Sequence, residues 1–582
     1  MPNRTELIEA ARGARPLDLV IANVNLVNVF TCEIYPADIG VYGDRVAVVG
    51  PAGHYQLDAV RTLDATGKWA TPGFVDTHLH IESTMVTPAN YAAAVLPFGT
   101  TTSIIDPHEI ANVMGMAGVR FMVEGSEGLP LRVYITIPSC VPAVPGKETA
   151  GADFGPAQVA EMLSWPRVIG VAEVMDYMGV VNASPRMVEI VQAGLDAGLT
   201  IQGHSPLLRG REANAYLAAG IHNDHELRRG DEGLEKLRLG VLPLLKVSSH
   251  GNHVPNILPT LKQAHFLDVA LCTDDIEPAD LLENGHMDRV IREMLAHDIE
   301  PAVAIRWATL NGARNYGLRD HGAIAPGYLA DIVLLDSLAD VHATDVFVAG
   351  QQVVAEGRLA VSIQPPPTQL DSVNTIRLAR PLTEDDFRLS PPVENGPVTA
   401  NIMVLEKSRL TRQEVCELTV IDGQVQLSDD MCTIAVVPRH GQTHPPQVAI
   451  LRGLGLQRGA LASSIAHDSH NILVTGHTPG DCLLAVETLQ ACGGGLVVVA
   501  DGEVLAKVAL PLAGLMSLKS VPELAKETRH MNRIVQGLGV DHAAKALSTT
   551  GLALTVVPAL RMSDLGGLFD VATQAFVPVF PT

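Results

Sequence analysis

Paired cysteines are absent from this sequence, and their absence narrows the kind of protein it encodes. The seven cysteines include no Cys-x-x-Cys pair, and an odd number cannot be fully paired in disulfides. A zinc ribbon and a disulfide framework are therefore both disfavoured. The pattern predicts free thiols in a reducing compartment.

Long apolar runs and an excess of basic residues are absent as well. No run of 18 apolar residues occurs, and residues 1–12 have the pattern of a short amphipathic helix without the apolar centre of a signal peptide. Lys and Arg number 41 against 64 Asp and Glu, which gives a formal net charge of -23. Nucleic acids and anionic membranes need a basic partner surface, so we expect neither as a partner. We expect a soluble cytoplasmic protein that acts on a small, weakly charged molecule.

Strand patterns lie on both flanks of a long central segment. They occur at residues 17–24, 39–42, 45–49, 327–335 and 341–354. Each flank has too few core residues to fold alone, so we expect the two flanks to combine. The prediction is a composite small β domain, a sandwich or half-barrel, made of residues 1–70 and 321–380.

The central segment, residues 71–320, alternates apolar strand patterns with helical patterns, as in parallel βαβ units. The candidate strands lie at residues 75–80, 102–106, 133–137, 168–173, 199–204, 221–225, 244–247 and 269–274. Eight strands in about 250 residues predict a closed (β/α)8 TIM-like barrel, in which reactive groups lie at the C-terminal ends of the strands.

A third segment, residues 385–582, contains strand patterns and glycine-rich turns. The Pro-rich residues 364–367 and the polar residues after them are typical of a linker. We interpret the third segment as an additional C-terminal α+β domain. The predicted fold class is therefore α/β, with a (β/α)8 barrel, a composite N-terminal β-sandwich domain and a C-terminal α+β domain.

Polar residues recur at the ends of the predicted barrel strands. His78 and His80 form a His-x-His pair whose rings lie on the same side of an extended chain. Six candidate ligands follow the barrel order: His78, His80, Glu173, His204, His225 and Asp274. An isolated His204 or His225 would be interpreted as a hydrogen-bonded core histidine. Together, the six residues can hold two divalent ions if one carboxylate bridges them, and their N/O donors suit Zn, Fe or Mn.

Longer motifs surround these residues, and they resemble one family. The family is the bacterial-type adenine deaminases of the amidohydrolase superfamily, which the chain resembles over nearly its whole length. The motifs are Pro72-Gly73-Phe74-Val75-Asp76-Thr77-His78-Leu79-His80, His80-Ile81-Glu82-Ser83-Thr84-Met85, Asp106-Pro107-His108-Glu109-Ile110-Ala111-Asn112-Val113-Met114-Gly115, Gly170-Val171-Ala172-Glu173-Val174-Met175 and Ile465-Ala466-His467-Asp468-Ser469-His470-Asn471.

The resemblance implies a reaction and a ligand set. The reaction is hydrolytic deamination of adenine to hypoxanthine and ammonia, in purine salvage. His78, His80 and Asp274 would hold one metal, His204 and His225 the other, and Glu173 would bridge them. The resemblance favours manganese or iron, with zinc as a third possibility. It also favours a homo-oligomer, most simply a dimer.

Two departures from other amidohydrolases bear on this expectation. Many relatives place a carboxylated lysine where Glu173 stands, so Glu173 disfavours the hydantoinases and dihydroorotases. Some other deaminases carry His-x-x-Glu after the fifth strand, whereas His204 is followed by Ser205-Pro206-Leu207. We therefore expect the proton-handling group to come from elsewhere.

Four residues are candidates for proton handling. Asp274 would take the proton of the attacking water and pass it to the leaving amine. Asp106, His108 and Glu109 are the candidates for protonating N1 of the purine or for orienting its edge. The alternative for Asp106 is a turn residue before Pro107.

Five further residues have more than one interpretation. Glu82 and Glu226 either orient the imidazoles or are solvated loop charges. Asp275 either supports Asp274 or caps a helix. His467 and His470 close the mouth of the barrel, bind an accessory ion, or lie in a solvated loop.

Two other functions compete with this one. Another amidohydrolase, acting on a different aminopurine or a cyclic amide, would share the metals and differ in the pocket around residues 106–112. A binding or scaffold protein on the same barrel is the other alternative, since fold does not determine function. The presence of all six candidate ligands argues against a scaffold protein.

Overall fold

The computed structural model describes residues 3–366, 374–406, 410–540, 546–557 and 559–581, and for residues 546–548 the backbone only. The linker predicted at residues 364–367 lies partly outside these residues, as do the first two residues of the predicted N-terminal helix. Among the described residues, we find no helix with the length and hydropathy needed to cross a bilayer.

The strands are numbered in chain order. They are β1 (Leu17–Asn28), β2 (Glu33–Tyr42), β3 (Arg45–Pro51), β4 (Ala59–Asp64), β5 (Trp69–Pro72), β6 (Phe74–Leu79), β7 (Thr100–Ile105), β8 (Arg132–Ile137), β9 (Val168–Val174), β10 (Thr200–Gly203), β11 (Asn223–Asp224), β12 (Leu242–Lys246), β13 (Ala270–Cys272), β14 (Ile332–Ser337), β15 (His342–Val348), β16 (Gln351–Ala355), β17 (Arg358–Leu359), β18 (Gly396–Leu405), β19 (Thr411–Ile421), β20 (Gln424–Gln426), β21 (Met431–Val437), β22 (Gln447–Arg452), β23 (Ala460–Ser463), β24 (Ile472–Gly476), β25 (Gly495–Ala500), β26 (Glu503–Ala509), β27 (Leu560–Ser563), β28 (Gly567–Asp570) and β29 (Ala575–Val577).

The α-helices are α1 (Arg4–Ala11), α2 (Pro88–Val95), α3 (His108–Met114), α4 (Met116–Gly125), α5 (Pro156–Met162), α6 (Tyr177–Val181), α7 (Pro185–Asp196), α8 (Gly210–Ala218), α9 (Gly230–Arg238), α10 (Val254–Leu261), α11 (Pro278–Asn284), α12 (Met287–Ala296), α13 (Pro301–Trp307), α14 (Leu310–Asn315), α15 (Pro479–Cys492) and α16 (Val521–Gly537). Short 3₁₀ helices occur at Ile81–Thr84, Leu96–Phe98, Glu384–Phe387 and Ala546–Ala553.

The two flanks of the chain combine in one sheet, as the strand patterns predict. Its strand order is β17-β16-β15-β14-β5-β1-β2-β3, with β4 beside β1. Backbone hydrogen bonds join Val46 in β3 to residues 327 and 328, just before β14, so the sheet curls back on itself. Ile21, Ile332 and Phe347 are fully buried in its core. The strand predicted at residues 39–42 begins earlier, at Glu33. The prediction missed the start of this strand because the first four residues of β2 are not buried and show no apolar pattern.

Eight parallel strands form the barrel. They lie in two arcs, β10-β9-β8-β7-β6 and β11-β12-β13, and their ends differ from the predicted ones by at most two residues. The amide of Asp274 donates to the His78 carbonyl over 3.0 Å, which joins the end of the second arc to β6. The amide of Gly203 donates to Asn223 Oδ1 over 2.9 Å, which joins β10 to β11. Every residue of β6 and β7 is buried, as expected for parallel strands covered on both faces.

The tail of the chain forms a second nine-stranded sheet with order β20-β19-β18-β22-β21-β24-β23-β25-β26, with helix α15 packed against β23, β24 and β25. Hydrogen bonds tie this tail to the barrel: Ser517 donates to the Met85 carbonyl over 2.8 Å, and Asn471 donates to the Thr149 carbonyl over 2.9 Å. The tail therefore lies against loops at the rim of the barrel. The exact domain limits stay a prediction.

Candidate active site

Six side chains from five barrel strands converge at one rim. His78 lies in β6 and His80 just after it, Glu173 lies in β9, and the other three follow β10, β11 and β13. The carboxyl ends of parallel barrel strands meet at the same end of the barrel, so residues about 200 positions apart become neighbours. All six are buried.

Glu173 occupies the centre of this group. Its Oε1 lies 3.9 Å from His78 Nε2 and 3.4 Å from His80 Nε2. Its Oε2 lies 3.1 Å from His225 Nε2 and is hydrogen-bonded to His204 Nδ1. One carboxylate therefore faces both halves of the predicted ligand set.

Asp274 lies beside the His-x-His pair. Its Oδ1 is 3.3 Å from both His78 Nε2 and His80 Nε2, and its Oδ2 accepts a hydrogen bond from Lys246 Nζ over 2.7 Å. Burial opposes ionisation of this carboxyl, but the charge of Lys246 and the histidine contacts outweigh it and hold the pKa of Asp274 well below its usual range. Asp274 is therefore a carboxylate.

Hydrogen bonds orient the two rings of the His-x-His pair. His78 Nδ1 lies 3.3 Å from Gln202 Oε1, and His80 Nδ1 lies 2.9 Å from the carbonyl oxygen of Asp106. These oxygens only accept, so in the neutral rings each Nδ1 carries the proton and donates it. Each Nε2 then directs a lone pair toward Glu173 and Asp274, as metal-binding histidines do.

The donor atoms fit a divalent cation. Among the described residues, His78 Nε2, His204 Nε2 and His225 Nδ1 are buried without a hydrogen-bond partner. An unpaired buried polar atom costs about 1–3 kcal/mol, which coordination to a cation would remove. Imidazole and carboxylate donors without thiolates suit zinc, iron or manganese. This cluster of residues could therefore bind metal.

Asp106 and His108 form a pair beside this cluster. His108 Nδ1 is 2.8 Å from Asp106 Oδ2 and 3.4 Å from Glu173 Oε1, and its Nε2 is 3.4 Å from Asp468 Oδ1. Burial lowers the pKa of His108, but the neighbouring carboxylates Asp106 and Asp468 raise it by more, so that it is well above its usual value. Asp106 is fully buried and binds His108, which a turn residue alone would not do.

Glu109 and the two tail histidines form a second cluster. His467 Nδ1 and His470 Nε2 each lie 4.0 Å from an oxygen of Glu109. Burial, and then the charges of Glu82 and Asp275, raise the pKa of Glu109 to about 7 against the opposing effect of His467. His470 is completely buried, so the solvated-loop interpretation is wrong for this residue.

The other candidates have defined partners. Glu82 accepts a hydrogen bond from the amide of Ile110 over 3.2 Å, and Glu226 is paired with Lys246 and Arg228. Both glutamates are buried, so neither is a solvated loop charge. Asp275 Oδ1 lies 2.5 Å from the Ser83 hydroxyl and lines the same cavity as Asp274.

A cavity of about 500 Å³ opens over the cluster. Barrel residues including His108, Glu173, Lys246 and Asp274 line one side. Tail residues including Asp468, Leu552, Leu554 and Arg561 line the other. The tail therefore supplies part of the wall.

Gln202, Lys246 and Asp468 also contact the candidate residues, although they are missing from the sequence-based candidates. Gln202 holds His78, and it could have been found because it lies two positions before His204 on the same face of one strand. Lys246 holds Asp274 and is the last residue of β12, a position that also marks the rim. Asp468 contacts His108 from the tail, and no pattern in the sequence indicates that contact.

Comparison with known proteins agrees with this arrangement. The amidohydrolase family model matches residues 69–359, and that of the adenine deaminase C-terminal domain matches residues 408–575. The chain is 41% identical over 571 residues to a protein named adenine deaminase from Klebsiella pneumoniae (strain 342), covering 97% of this chain and 94% of that one.

Two further relatives have the same name. The one from Moorella thermoacetica is 40% identical over 96% of this chain and 95% of its own length. The one from Methanothrix thermoacetophila is 38% identical over 99% of both chains. The similarity spans barrel, flanking sheet and tail together, and the chain therefore belongs to the amidohydrolase family and, within it, to the adenine deaminases.

Proposed function

We propose that this protein catalyses the hydrolytic deamination of adenine to hypoxanthine and ammonia. The observation that carries the proposal is the convergence of six N and O donors on one buried cavity in a chain of this family. The cavity is of a size that suits a small molecule. The formal net charge of -23 disfavours polyanionic partners such as nucleic acids, which agrees with a small-molecule substrate.

Two divalent cations are part of the proposal, manganese or iron first and zinc as a third possibility. His78, His80 and Asp274 would hold one cation, His204 and His225 the other, and Glu173 lies between both groups. When bound, they would act as Lewis acids that lower the pKa of water toward about 7. The unpaired histidine nitrogens support this assignment.

Asp274 would handle the proton of the attacking water. It is held ionised beside Lys246 and lines the cavity, so it can accept a proton as water adds to C6 of the purine. The same carboxyl would then donate that proton to the exocyclic nitrogen, which leaves as ammonia.

His108 would supply the proton that N1 needs as C6 becomes tetrahedral, and it would regain a proton from the C6 hydroxyl as ammonia leaves and the carbonyl of hypoxanthine forms. Asp106 binds its Nδ1 and thereby favours the protonated ring, while its Nε2 faces Asp468 at the cavity. Asp106 and Asp468 would orient the ring and hold its proton. Glu109 faces the tail histidines and would not be the donor.

We also propose a cytoplasmic location and a homodimer. All seven cysteines are free thiols, which supports a reducing compartment. Twofold-symmetric dimers are the commonest homo-oligomers of soluble proteins. Light scattering on the purified protein would measure its mass, and a monomeric mass would contradict the dimer.

The test is adenine consumption and ammonia release by purified protein supplied with Mn²⁺, with metal content measured on the same sample. We expect hypoxanthine as the product. Metal-loaded protein that leaves adenine untouched would contradict the proposal. In that case a panel of other aminopurines and cyclic amides would identify the substrate of the amidohydrolase.

A further inference from the structure

A second group of metal-binding side chains lies where the tail meets the barrel, outside the six residues assigned to catalysis. Glu109 comes from the first turn of α3, and His467 and His470 come from the loop between β23 and β24. We infer that these three residues form a third cation site, which binds a divalent transition metal and clamps the tail to the rim of the barrel.

The distances suit one ion between the three side chains. His467 Nδ1 is 4.0 Å from Glu109 Oε1, and His470 Nε2 is 4.0 Å from Glu109 Oε2. Metal bonds to imidazole nitrogen and carboxylate oxygen are about 2.0–2.2 Å long, so two ligands of one ion lie at most about 4.4 Å apart. The two histidine rings are close neighbours, with centroids 5.6 Å apart.

Direct hydrogen bonds do not account for this arrangement. A separation of 4.0 Å is too long for a hydrogen bond, so Glu109 satisfies neither histidine directly. His470 is completely buried, and among the described residues neither of its ring nitrogens has a hydrogen-bond partner. A buried imidazole with both nitrogens unpaired is costly, and a cation bound at Nε2 would remove part of that cost.

The backbone and neighbouring groups hold the ligands in place. His470 has a φ of 51°, and its amide donates to the carbonyl of Ala466 over 2.8 Å, so a tight turn directs this ring. The Ser83 hydroxyl lies 2.9 Å from Glu109 Oε1 and 2.5 Å from Asp275 Oδ1. Two of the three ligands, Glu109 and His470, are therefore held before any ion binds.

The carboxyls around Glu109 favour a cation there, although the charge of Arg439 acts on the His470 side of the site. The carboxyls of Glu82 and Asp275 both lie near Glu109, and Glu82 and Glu109 are almost fully buried. A divalent ion would neutralise this excess of negative charge. The donor set of two imidazoles and a carboxylate selects zinc, iron or manganese over calcium or magnesium, which prefer all-oxygen sites.

The site would fix the position of the cavity wall. The loop that carries His467 and His470 also carries Asp468, which contacts His108 at the cavity. A cation bound to Glu109 and both histidines would therefore hold Asp468 in place without touching the substrate. We expect the ion to be structural.

The test compares metal content between the full-length protein and two variants. Each protein is stripped of metal, reloaded with Zn²⁺, dialysed and analysed by mass spectrometry. We expect His470→Gln to bind one zinc fewer per chain than the natural protein. His530→Gln, which removes an exposed imidazole from α16, is the matched control and is expected to bind the full number.

Anomalous diffraction from crystals of the natural protein at the zinc edge gives an independent measurement, which does not depend on the folding of a variant. We expect a peak between Glu109 and His470. Absence of that peak, or an unchanged zinc content in a folded His470→Gln protein, would overturn the inference. Both measurements are independent of adenine turnover, so failure of the proposed function and failure of this site would be told apart.

Discussion

The carboxylate of Glu173 lies within 4 Å of imidazole nitrogens from five histidines, His78, His80, His108, His204 and His225. Burial alone would raise the pKa of this group, but the charges of His204 and His225 hold it well below its usual range. A permanent carboxylate therefore stands between the two halves of the ligand set. It needs no covalent modification to act as a bridge.

Replacing Glu173 by Gln is expected to lower the metal content, because the amide is neutral and offers a single acceptor oxygen. Elemental analysis of the purified variant measures this loss. The exposed Glu487→Gln variant is the control. A Glu173→Gln protein that still holds two ions in this cluster would show that the residue does not bridge them.

Replacing Asp274 by Asn is expected to reduce kcat for adenine by about 10²-fold or more, because the amide cannot accept the proton of the attacking water. Circular dichroism should show the fold unchanged. The surface variant Asp336→Asn should keep full activity. Retention of about a tenth of the turnover would contradict the assigned role.

The buried carboxyl of Glu148 predicts how the stability of the folded protein depends on pH. It is almost fully buried, and burial raises its pKa to about 8, against an ordinary value of 4.5. The unfolded chain loses this proton above pH 4.5 while the folded protein keeps it to about pH 8. The stability that depends on this carboxyl is therefore complete below pH 4.5 and is lost as the pH rises through 8.

The Glu148→Gln variant has no proton to lose. Between pH 5 and pH 8 its free energy of unfolding should rise relative to that of the natural protein by a few kcal/mol, on the order expected from the shift. Urea unfolding at several pH values measures this difference. Glu161→Gln, at an exposed position, should show no such trend, and an equally flat result for Glu148→Gln would contradict the prediction.

The candidate ligands lie at the ends of short strands, and buried ion pairs with a neighbouring helix stabilise those strand ends. Lys236 in α9 is 2% exposed, and its Nζ donates to Asp224 in β11 over 2.8 Å and to Glu232 over 2.8 Å. It also donates to the carbonyl of Ser205, which follows His204. One lysine thus joins a helix to the two strand ends that present His204 and His225.

Replacing Lys236 by Met should destabilise the protein by about 3–5 kcal/mol, because two buried carboxylates lose their counter-ion. Urea unfolding measures the change. The exposed Lys526→Met variant in α16 should differ little from the natural protein. A loss below about 1 kcal/mol for Lys236→Met would mean that the pair is solvated, as surface pairs are.

Barrel and tail share one apolar core. Leu79 and Ile257 of the barrel belong to the same continuous cluster of buried side chains as Leu461 and Met531 of the tail. The tail also lines the cavity and donates hydrogen bonds to barrel loops. Removing it would expose apolar surface of the barrel and open the site to water.

A chain that ends at residue 384 is expected to aggregate and to lose adenine turnover. Solubility after expression and ammonia release measure the two effects. Asp468→Asn in the full-length chain is the companion variant, since it keeps the tail and changes only its contact with His108. A soluble, fully active truncated protein would show that the tail does not help to form the site.

Much of the fold, and the six candidate ligands, could be predicted because the signals that reveal them lie in short stretches of sequence. Parallel strands have nearly continuous apolar patterns, and a barrel brings their carboxyl ends together, so His78, His80, Glu173, His204, His225 and Asp274 could be named from position along the chain. The combination of the two flanking segments into one sheet followed from their small size.

Other features were decided only by the tertiary structure. Asp468 and His470 belong to a loop of the tail, and their contact with the barrel depends on how two distant parts of the chain pack. The burial of Glu82 and Glu226 depends in the same way on neighbours that lie on other elements. Sequence periodicity reports which face of one element is apolar, but it carries no information about which loop of another domain covers that element.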